Sequence, residues 1–282
     1  MNENFLIKYL KCPCCEANMV LIDDAKSLAC EGERRHTFDF SSKGHINFAL
    51  TQSGSGDSKE AVRSRSDFLS KGYYEPIREK LCEILTGYKN GGFVIDAGCG
   101  EGYYTEGIAE NGYLTAGFDL SKIAVMSTAS RMRCKHDGRR FAAVASVFEL
   151  PVKSDSADAI VSIFAPCAEE EFARILKDNG ILIVVSAGGE HLMGLKRAMY
   201  REVYSNDERA DMPKGMVSLT QERLKYTVDI EGNEDILNLF SMTPYYWRTS
   251  RADAEKLSLL KSLSTEIDIL FTVYTKESET HK

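Results

Sequence analysis

Residues 93–107, FVIDAGCGEGYYTEG, constrain the fold of this chain more than any other stretch. An apolar run leads to Asp96, and three glycines then follow at every second position ahead of a helix-like segment: Gly98, Gly100 and Gly102. This order predicts a strand, a tight turn and the start of a helix. The turn needs glycine because the backbone passes close to a ligand, and free N–H groups at the helix start favour polar or anionic ligand groups. We therefore expect a nucleotide-like cofactor here.

The acidic residues around the turn indicate which cofactor it binds. A dinucleotide fingerprint has G-x-G-x-x-G with an acidic residue about 20 positions further on, whereas this chain has D-x-G-x-G-x-G, with Asp96 ahead of the glycines. A second apolar run, 114–120, ends near Asp119. The pattern resembles motif I of the class I S-adenosylmethionine (SAM) methyltransferases. In those enzymes the first acid helps to hold the amino group of SAM and the second holds its ribose hydroxyls.

Composition is that of a soluble globular protein of 282 residues, with 43% hydrophobic and 27% charged residues. No apolar run approaches the roughly 18 residues that span a bilayer, and the N-terminus lacks the features of a signal peptide, so we expect a cytoplasmic protein. Eight cysteines in a reducing compartment predict thiols or metal ligands. The net charge of −7 argues against indiscriminate nucleic-acid binding but allows a local basic surface.

A cysteine-rich segment near the start predicts a structural zinc site. The four candidate ligands comprise a C-x-x-C pair and two later residues: Cys12, Cys15, Cys30 and His36. Thiolates and imidazole suit tetrahedral Zn²⁺, and four protein ligands leave no position open for catalysis. The metal would also hold together a segment too small for a core of its own. Cys14 lies inside the C-x-x-C pair and could compete as a ligand.

The remainder of the chain alternates between strand-like and helix-like segments. Strand-like runs lie at 93–96, 116–120, 141–145, 159–164, 181–186, 224–230 and 267–274. Apolar spacing predicts helices at 61–69, 76–85, 104–110, 123–133, 168–176, 233–240 and 252–263. The alternation predicts a Rossmann-like α/β fold with a mostly parallel, seven-stranded sheet. Ligands of such sheets bind at the carboxyl ends of the strands.

Motifs along nearly the whole chain support a closer resemblance. They are F-D-x-x-x-x-G-x-x-N (38–47), G-D-S (56–58), R-x-x-F-L-x-x-G-x-Y-x-P (65–76), D-x-G-C-G-E-G-Y-Y-T (96–105), A-P-C (165–167), H-L-M-x-L-K (191–196) and M-T-P-x-x-W-R (242–248). On these motifs the chain resembles the bacterial 23S ribosomal RNA guanine-N1-methyltransferases. The resemblance implies SAM as methyl donor, structural zinc, a homodimer and a hairpin of 23S ribosomal RNA as substrate.

The resemblance also implies roles for particular residues. By motif position the zinc ligands fall on the four residues already singled out, and the SAM contacts fall on Tyr74, Gly100, Glu101, Asp119 and His191. The loop between Cys30 and His36 is longer than the family pattern. Tyr74 could instead be a packed aromatic residue, and His191 could cap the helix that follows it.

Three parts are predicted on this basis. Residues 1–50 form a zinc-binding module for RNA recognition, residues 51–60 form a small polar linker, and residues 61–282 form the methyltransferase domain. Phosphate contacts are expected from basic residues in and after the module: Arg34, Arg35, Lys43, Arg63 and Arg65. The basic run 131–140 could be solvated surface or an RNA contact. Aromatic residues in the last motif could belong to the core or stack on an unpaired base: Tyr245, Tyr246 and Trp247.

The implied reaction transfers a methyl group from SAM to N1 of a guanosine in an RNA hairpin loop. N1 lies on the Watson–Crick edge, so the base must be unpaired or extruded. Catalysis is then chiefly positioning, with an acceptor for the N1 proton. The backbone carbonyls and Pro166 of IFAPC, with His191 as a second contact, are the candidates that fix the base.

Two other functions share part of this evidence. A SAM-dependent methyltransferase acting on a small metabolite would have the same glycine turn but little use for a zinc module. A non-catalytic RNA-binding protein would keep the fold and bind SAM without transferring a methyl group.

Overall fold

The structure is a computed structural model that describes residues 6–50, 58–208 and 212–277. The strands are β1 (Met19–Ile22), β2 (Ser27–Cys30), β3 (Thr37–Asp39), β4 (Ile46–Asn47), β5 (Phe93–Ala97), β6 (Leu114–Asp119), β7 (Arg140–Val144), β8 (Ala157–Ile163), β9 (Leu176–Ala187), β10 (Met216–Glu231) and β11 (Ser262–Lys276). The α-helices are α1 (Lys59–Leu69), α2 (Glu75–Tyr88), α3 (Tyr103–Glu110), α4 (Lys122–Arg131), α5 (Glu169–Ile175), α6 (Met193–Met199), α7 (Asn233–Ser241) and α8 (Arg251–Leu257).

The main sheet has the strand order β10-β11-β9-β8-β5-β6-β7-β4. The strands β4 to β9 of this sheet run parallel to one another. Strand β11 is antiparallel to both of its neighbours, β9 and β10. This is the class I SAM methyltransferase fold, as predicted. The sheet has eight strands among the described residues where seven were expected, because β4 from the cysteine-rich segment pairs with β7.

Apolar layers cover both faces of this sheet. The strand β5 is buried along its whole length, so its sequence reads as a continuous apolar run and not as an alternating one. Val94 packs into the cluster that contains Phe68 and Ile77 from the helices α1 and α2. Phe93 and Ile95 pack into the opposite cluster with residues of the cysteine-rich segment. The sheet is therefore enclosed, and its carboxyl edge is the place for a ligand.

The cysteine-rich segment packs directly on the main sheet. The Tyr9 ring stacks on Phe93 with a centroid separation of 4.5 Å. The Lys11 N–H donates to the Pro151 carbonyl (3.0 Å), and the Lys153 N–H donates to the Tyr9 carbonyl (2.9 Å). The division at residues 50 and 60 stays a prediction, but the first part shares a sheet and a core with the third. The predicted linker lies mostly outside the described residues.

Several predicted elements are wrong in their bounds: β9 and β11 each begin before their predicted starts at 181 and 267. The helix expected over 252–263 ends at Leu257, because residues 262 onward pair with β10 as strand β11. Strand β10 begins at Met216, well before the expected residue 224, because its first half is mostly exposed and lacks a continuous apolar run. Within the described residues, none of the helices has both the length and the apolar composition needed to cross a bilayer.

Candidate active site and metal centre

The glycine turn follows β5 at the carboxyl edge of the sheet. Gly98, Gly100 and Gly102 all have positive φ, the region that glycine adopts without strain. Close approach adds a second requirement, since a Cβ at Gly98 would lie 2.6 Å from the Ala165 Cβ. A Cβ at Gly102 would lie 2.8 Å from the Thr128 Cα. The turn therefore holds the conformation that the sequence predicted, and protein atoms of Ala165 and Thr128 pack against Gly98 and Gly102.

Asp96 presents an unpartnered carboxylate oxygen at this turn. Its side chain is buried, and the Thr105 hydroxyl donates to Oδ2 (2.6 Å). Oδ1 has no hydrogen-bond partner among the described residues. Burial raises the pKa of Asp96 to about 7. A buried acceptor without a donor is costly, so this atom fits a ligand that brings an ammonium group, as the methionine part of SAM does.

Tyr104 offers a second unpartnered atom that the sequence reasoning missed. Its hydroxyl is buried and lacks a hydrogen-bond partner within the described residues. Burial, with smaller contributions from Tyr74 and Glu101, raises the pKa of Tyr104 well above its usual value, so the hydroxyl stays a neutral donor. The signal was present in the sequence as the second tyrosine of D-x-G-C-G-E-G-Y-Y-T.

Asp119 connects the end of β6 to the glycine turn. Its Oδ2 accepts a hydrogen bond from the Gly100 N–H (3.0 Å), and its Oδ1 accepts one from the Ser121 N–H (2.8 Å). Each carboxylate oxygen has two lone pairs, so the group can accept ligand hydroxyls as well. The structure therefore brings Asp119 beside the turn, where the sequence predicted a ribose contact.

Glu101 and Arg65 meet at the same turn. The Glu101 carboxylate is buried, and an Arg65 guanidinium nitrogen lies 3.8 Å from it. Burial raises the pKa of Glu101, and Arg65 opposes the shift. Arg65 was expected to contact RNA phosphates, but its half-buried side chain points to the cofactor turn. Arg63, two residues earlier, is the exposed one and forms an ion pair with Asp67 (3.4 Å).

His191 lies in the loop 188–191, which we call the His191 loop, between β9 and α6. It is buried, and its Nδ1 accepts a hydrogen bond from the Asp268 backbone N–H (3.3 Å). Burial lowers the pKa of His191 to about 4. The ring is therefore neutral with its proton on Nε2, which makes it a hydrogen-bond donor. His191 does not cap α6, whose N-cap residue Leu192 makes no side-chain cap bond.

Tyr74 packs close to this histidine. The Tyr74 ring is buried, with its centroid 6.3 Å from that of His191 and 5.4 Å from that of Phe68. Pro166 lies in the exposed segment that follows β8. The Ala165 carbonyl of that segment accepts a hydrogen bond from the Ser162 hydroxyl (3.3 Å).

Asn206 holds the His191 loop in place, and nothing in the sequence drew attention to it. Its Nδ2 donates to the Gly188 carbonyl (2.9 Å) and to the His191 carbonyl (3.0 Å). Its Oδ1 accepts hydrogen bonds from Lys196 Nζ (2.6 Å) and from the Tyr245 hydroxyl (3.0 Å). The motifs at 191–196 and 242–248 therefore meet at one amide. Tyr245 belongs to this interior network, whereas Tyr246 and Trp247 are exposed.

Asp268 supports the loop from strand β11. Its buried Oδ2 accepts a hydrogen bond from the Glu190 N–H (2.9 Å), and its Oδ1 accepts one from Arg223 Nε (2.7 Å). Burial opposes the charged form, yet these donors hold the pKa of Asp268 below its usual value. The loop thus has fixed partners on both sides.

The four predicted metal ligands converge. Their ligand atoms all lie within 4.8 Å of one another: Cys12, Cys15, Cys30 and His36. The Cys15 and Cys30 sulfurs are 3.7 Å apart, and His36 Nδ1 is 3.5 Å from the Cys12 and Cys30 sulfurs. A tetrahedral Zn²⁺ with its usual bond lengths requires separations of about 3.8 Å between sulfurs and about 3.5 Å between sulfur and nitrogen. The set fits structural zinc.

Backbone donors favour the thiolate of Cys30, whereas burial raises the pKa of Cys12. The His36 N–H points to the Cys30 sulfur (3.2 Å), and the Cys14 N–H points to the Cys12 sulfur (3.4 Å). Although burial opposes ionisation, hydrogen bonds from His36 and Gly32 lower the pKa of Cys30 to about 6. Cys14 is exposed and is not a member of the cluster. It contributes its N–H, so the competition considered from the sequence does not arise.

The basic residues divide into two groups. Arg34 and Arg35 are exposed in the loop between the last two ligands, and Lys43 is exposed nearby in the chain. In the run 131–140, Arg133 and Lys135 are also exposed, but Arg131 and Arg140 are held in ion pairs. Arg131 forms an ion pair with Glu106 (3.1 Å), and Arg140 forms one with Asp137 (3.0 Å). These contacts favour a structural use of that run.

Comparisons with known proteins show what the chain as a whole is similar to. A family described as Methyltransferase domain matches residues 95–184. A Streptomyces fradiae protein named 23S rRNA (guanine(748)-N(1))-methyltransferase is 27% identical, over 97% of this chain and 98% of its own. A Bacillus subtilis protein provisionally named a 23S rRNA (guanine-N(1)-)-methyltransferase is 28% identical, over 92% of this chain and 94% of its own. The resemblance that the motifs indicated is confirmed.

Solved structures resemble the chain at lower identity. A Bacillus halodurans structure, provisionally described as a methyltransferase, has a TM-score of 0.48 at 12% identity and covers 71% of this chain and 99% of its own. A Haemonchus contortus phosphoethanolamine N-methyltransferase in complex with SAM has a TM-score of 0.46 at 15% identity and covers 78% of this chain and 58% of its own.

Proposed function

We propose that this chain, a relative of the 23S rRNA guanine-N1-methyltransferases with a methyltransferase domain, transfers a methyl group from SAM to N1 of a guanosine in 23S ribosomal RNA. The observation that carries the proposal is similarity to those relatives over nearly the whole length of both chains. That length includes the Cys₃His cluster as well as the cofactor turn.

The residues around the turn are suited to hold SAM. Asp96 Oδ1 accepts from the ammonium of its methionine part, and the Tyr104 hydroxyl donates to the carboxylate. Asp119 accepts from the ribose hydroxyls. The three glycines allow the backbone to approach, while Tyr74 and Glu101 close the site around them. When bound, SAM would supply an electrophilic methyl group on a positively charged sulfur.

His191 acts in this site as a donor and not as a base. Its Nδ1 is engaged by the Asp268 N–H, and a pKa of about 4 keeps the ring neutral at physiological pH. Its Nε2–H can therefore hold a carboxylate or carbonyl oxygen of a ligand. Pro166 and the carbonyls beside it border the base. Fixing the base in this way lowers the cost of reaching the reactive geometry.

The substrate base lies in a hairpin loop, where it is unpaired and can be extruded at low cost. Exposed basic residues of the zinc module contact phosphates and orient the RNA: Arg34, Arg35 and Lys43. Since the chain as a whole is acidic, its affinity for RNA must come from such a local surface. We also propose, from the family resemblance, a homodimer that acts in the cytoplasm.

The test is methyl transfer from labelled SAM into unmodified 23S rRNA. We expect the labelled methyl group to appear in the RNA, and no label to be transferred in a reaction without RNA. Transfer to a small metabolite that is insensitive to RNA would favour the alternative methyltransferase. SAM binding without transfer to any ribosomal RNA would favour a non-catalytic RNA-binding protein.

A further inference from the structure

We infer that Phe164 is the aromatic surface on which the target guanine stacks once it has left the RNA. The inference rests on the proposed function and adds a residue that contacts the base. It follows from four properties of Phe164: its place beside the cofactor turn, its exposure, its partner His191 and its backbone conformation.

Phe164 follows directly on β8, the strand that lies next to β5 in the sheet. The next residue, Ala165, borders the cofactor turn, because its Cβ would lie 2.6 Å from a Cβ at Gly98. Phe164 therefore stands at the carboxyl edge of the sheet, one residue away from the glycine backbone that faces the cofactor. A base presented to the methyl group must come to this edge.

The Phe164 side chain is unusually exposed for a phenylalanine in such a position. The residue is 49% exposed, although the strand before it is buried. Its ring stacks on His191, with centroids 6.1 Å apart and an angle of 15° between the planes. His191 is itself buried, so it supports the ring from the protein side while half of Phe164 remains accessible. Aromatic faces held in this way are the surfaces on which unpaired bases stack.

The backbone of Phe164 is strained, and its neighbours hold it there. Its φ is 51°, which is rare for a bulky residue and costs free energy. The Phe164 N–H donates to the Val185 carbonyl (3.0 Å), and the Ser162 hydroxyl donates to the Ala165 carbonyl (3.3 Å). A ring fixed on a rigid turn loses little conformational freedom when a base stacks on it. Strain of this kind that the surroundings maintain is characteristic of functional positions.

Three other exposed aromatic residues, Tyr88, Tyr246 and Trp247, lack this combination. Tyr88 ends α2, five residues before β5 begins, so it lies toward the amino edge of the sheet, away from the cofactor turn. Tyr246 and Trp247 lie on a short helical turn, Pro244–Trp247, and pack edge-to-face on each other. Neither of them is stacked on a residue of the cofactor site. Tyr88 therefore provides a control for loss of an exposed aromatic ring.

The experiment compares Phe164→Leu with Phe164→Trp. Leucine keeps the Cβ and Cγ, so the cost of the positive φ is matched while the aromatic face is lost. Tryptophan restores an aromatic face. The readouts are the single-turnover rate of methyl transfer to an unmodified 23S rRNA transcript at saturating RNA, the affinity for S-adenosylhomocysteine by calorimetry, and the melting temperature.

We expect Phe164→Leu to lower the single-turnover rate by about 5-fold to 150-fold, the range that loss of one base–aromatic stack gives. Affinity for S-adenosylhomocysteine and the melting temperature should stay near those of the unchanged protein. Phe164→Trp should recover most of the rate, and Tyr88→Leu should leave it unchanged. If Phe164→Leu melts early, Phe164→Met serves as the non-aromatic variant with the same expectation.

Each other result overturns the inference. A Phe164→Leu rate equal to that of the unchanged protein removes the stacking role. A Phe164→Trp rate as low as that of Phe164→Leu shows that shape matters and not the aromatic face. Weakened binding of S-adenosylhomocysteine assigns Phe164 to the cofactor. If the unchanged protein methylates no ribosomal RNA, the proposed function fails first, and the stacking role fails with it.

Discussion

Asp96 carries a pH dependence that follows from its burial. Its pKa is raised to about 7, so the carboxylate is charged above that pH and protonated below it. Only the charged form attracts the ligand ammonium, so affinity should rise with pH through this window. We expect binding of S-adenosylhomocysteine to be about tenfold weaker at pH 6 than at pH 8. Calorimetry measures this directly. Asp96→Asn should bind weakly at both values, and a flat profile for the unchanged protein would refute the assignment.

Tyr104 can be tested against its neighbour. Tyr104→Phe removes only the unpartnered hydroxyl, and we expect S-adenosylhomocysteine to bind about 1.5–3 kcal/mol more weakly, the scale for a hydrogen bond to a charged group. Tyr103→Phe is the matched control, because the Tyr103 ring packs under the Arg78 guanidinium (4.8 Å). The effect should vanish for 5′-methylthioadenosine, which has no amino-acid part. Equal losses of affinity for both ligands would show that the Tyr104 hydroxyl does not contact the amino-acid part of the cofactor.

We propose that a short loop of the zinc module contacts the RNA. The loop between Cys30 and His36 carries Arg34 and Arg35 on its exposed side. Reversal of both charges to Glu should weaken RNA binding and reduce its salt slope by about one to two units, since each lost phosphate contact removes about 0.7–0.9. It should raise the KM for RNA more than it lowers kcat, because such contacts act in the ground state as well.

The control for this pair is Arg139→Glu. Arg139 immediately precedes β7, at the amino edge of the sheet and away from the cofactor turn, and its side chain is hydrogen-bonded to the Gly112 carbonyl. The salt slope should stay unchanged in this variant. The salt slope of RNA binding could instead fall in Arg139→Glu and stay unchanged in the Arg34/Arg35 double variant. That result would place the RNA-binding surface on the run 131–140.

Elements defined by local sequence were predicted well. The glycine turn and the buried strands β5, β6 and β8 are encoded by residues adjacent in the chain, so their patterns are visible without the fold. Strand β4 could not be predicted from local sequence. Its two residues pair with β7 across almost 100 positions, and no local pattern indicates that pairing. The exposed half of β10 was missed for the same reason, because pairing with β11 and not apolar composition makes it a strand.

The candidate site divides in the same way. Asp96, Asp119 and the zinc ligands were found because motif spacing reports them. Asn206 and Asp268 were missed, since each acts through hydrogen bonds to a loop that lies distant in sequence. Arg65 was expected to contact RNA because its charge is visible in the sequence. Its contact with the buried Glu101 depends on the fold, so the sequence alone could not show it.

At the scale of the whole molecule, zinc should stabilise more than its own segment. Cys12 and Cys30 are buried in the same apolar cluster as Phe93 and Ile95 of the central strand β5. Cys30→Ser should therefore release zinc and lower the melting temperature of the protein by about 5 °C or more, the shift that a loss of about 2 kcal/mol gives at this length. Elemental analysis and calorimetric melting provide the readouts.

Cys14→Ser is the matched control for the metal. This residue lies between two ligands but is exposed and outside the cluster, and its N–H donor is kept in the variant. It should retain one zinc per chain and the melting temperature of the unchanged protein. Loss of zinc from Cys14→Ser, or full retention in Cys30→Ser, would contradict the ligand set.

The most direct test of the central claim is the identity of the methylated nucleoside. Unmodified 23S rRNA is incubated with the protein and SAM, digested to nucleosides and analysed by mass spectrometry against standards. We expect 1-methylguanosine as the product, at up to one per RNA, from a hairpin loop, with its formation strongly reduced in Asp96→Asn and retained in Cys14→Ser. A methyl group on another atom of guanine, on another nucleoside, or on no nucleoside of the RNA would contradict it.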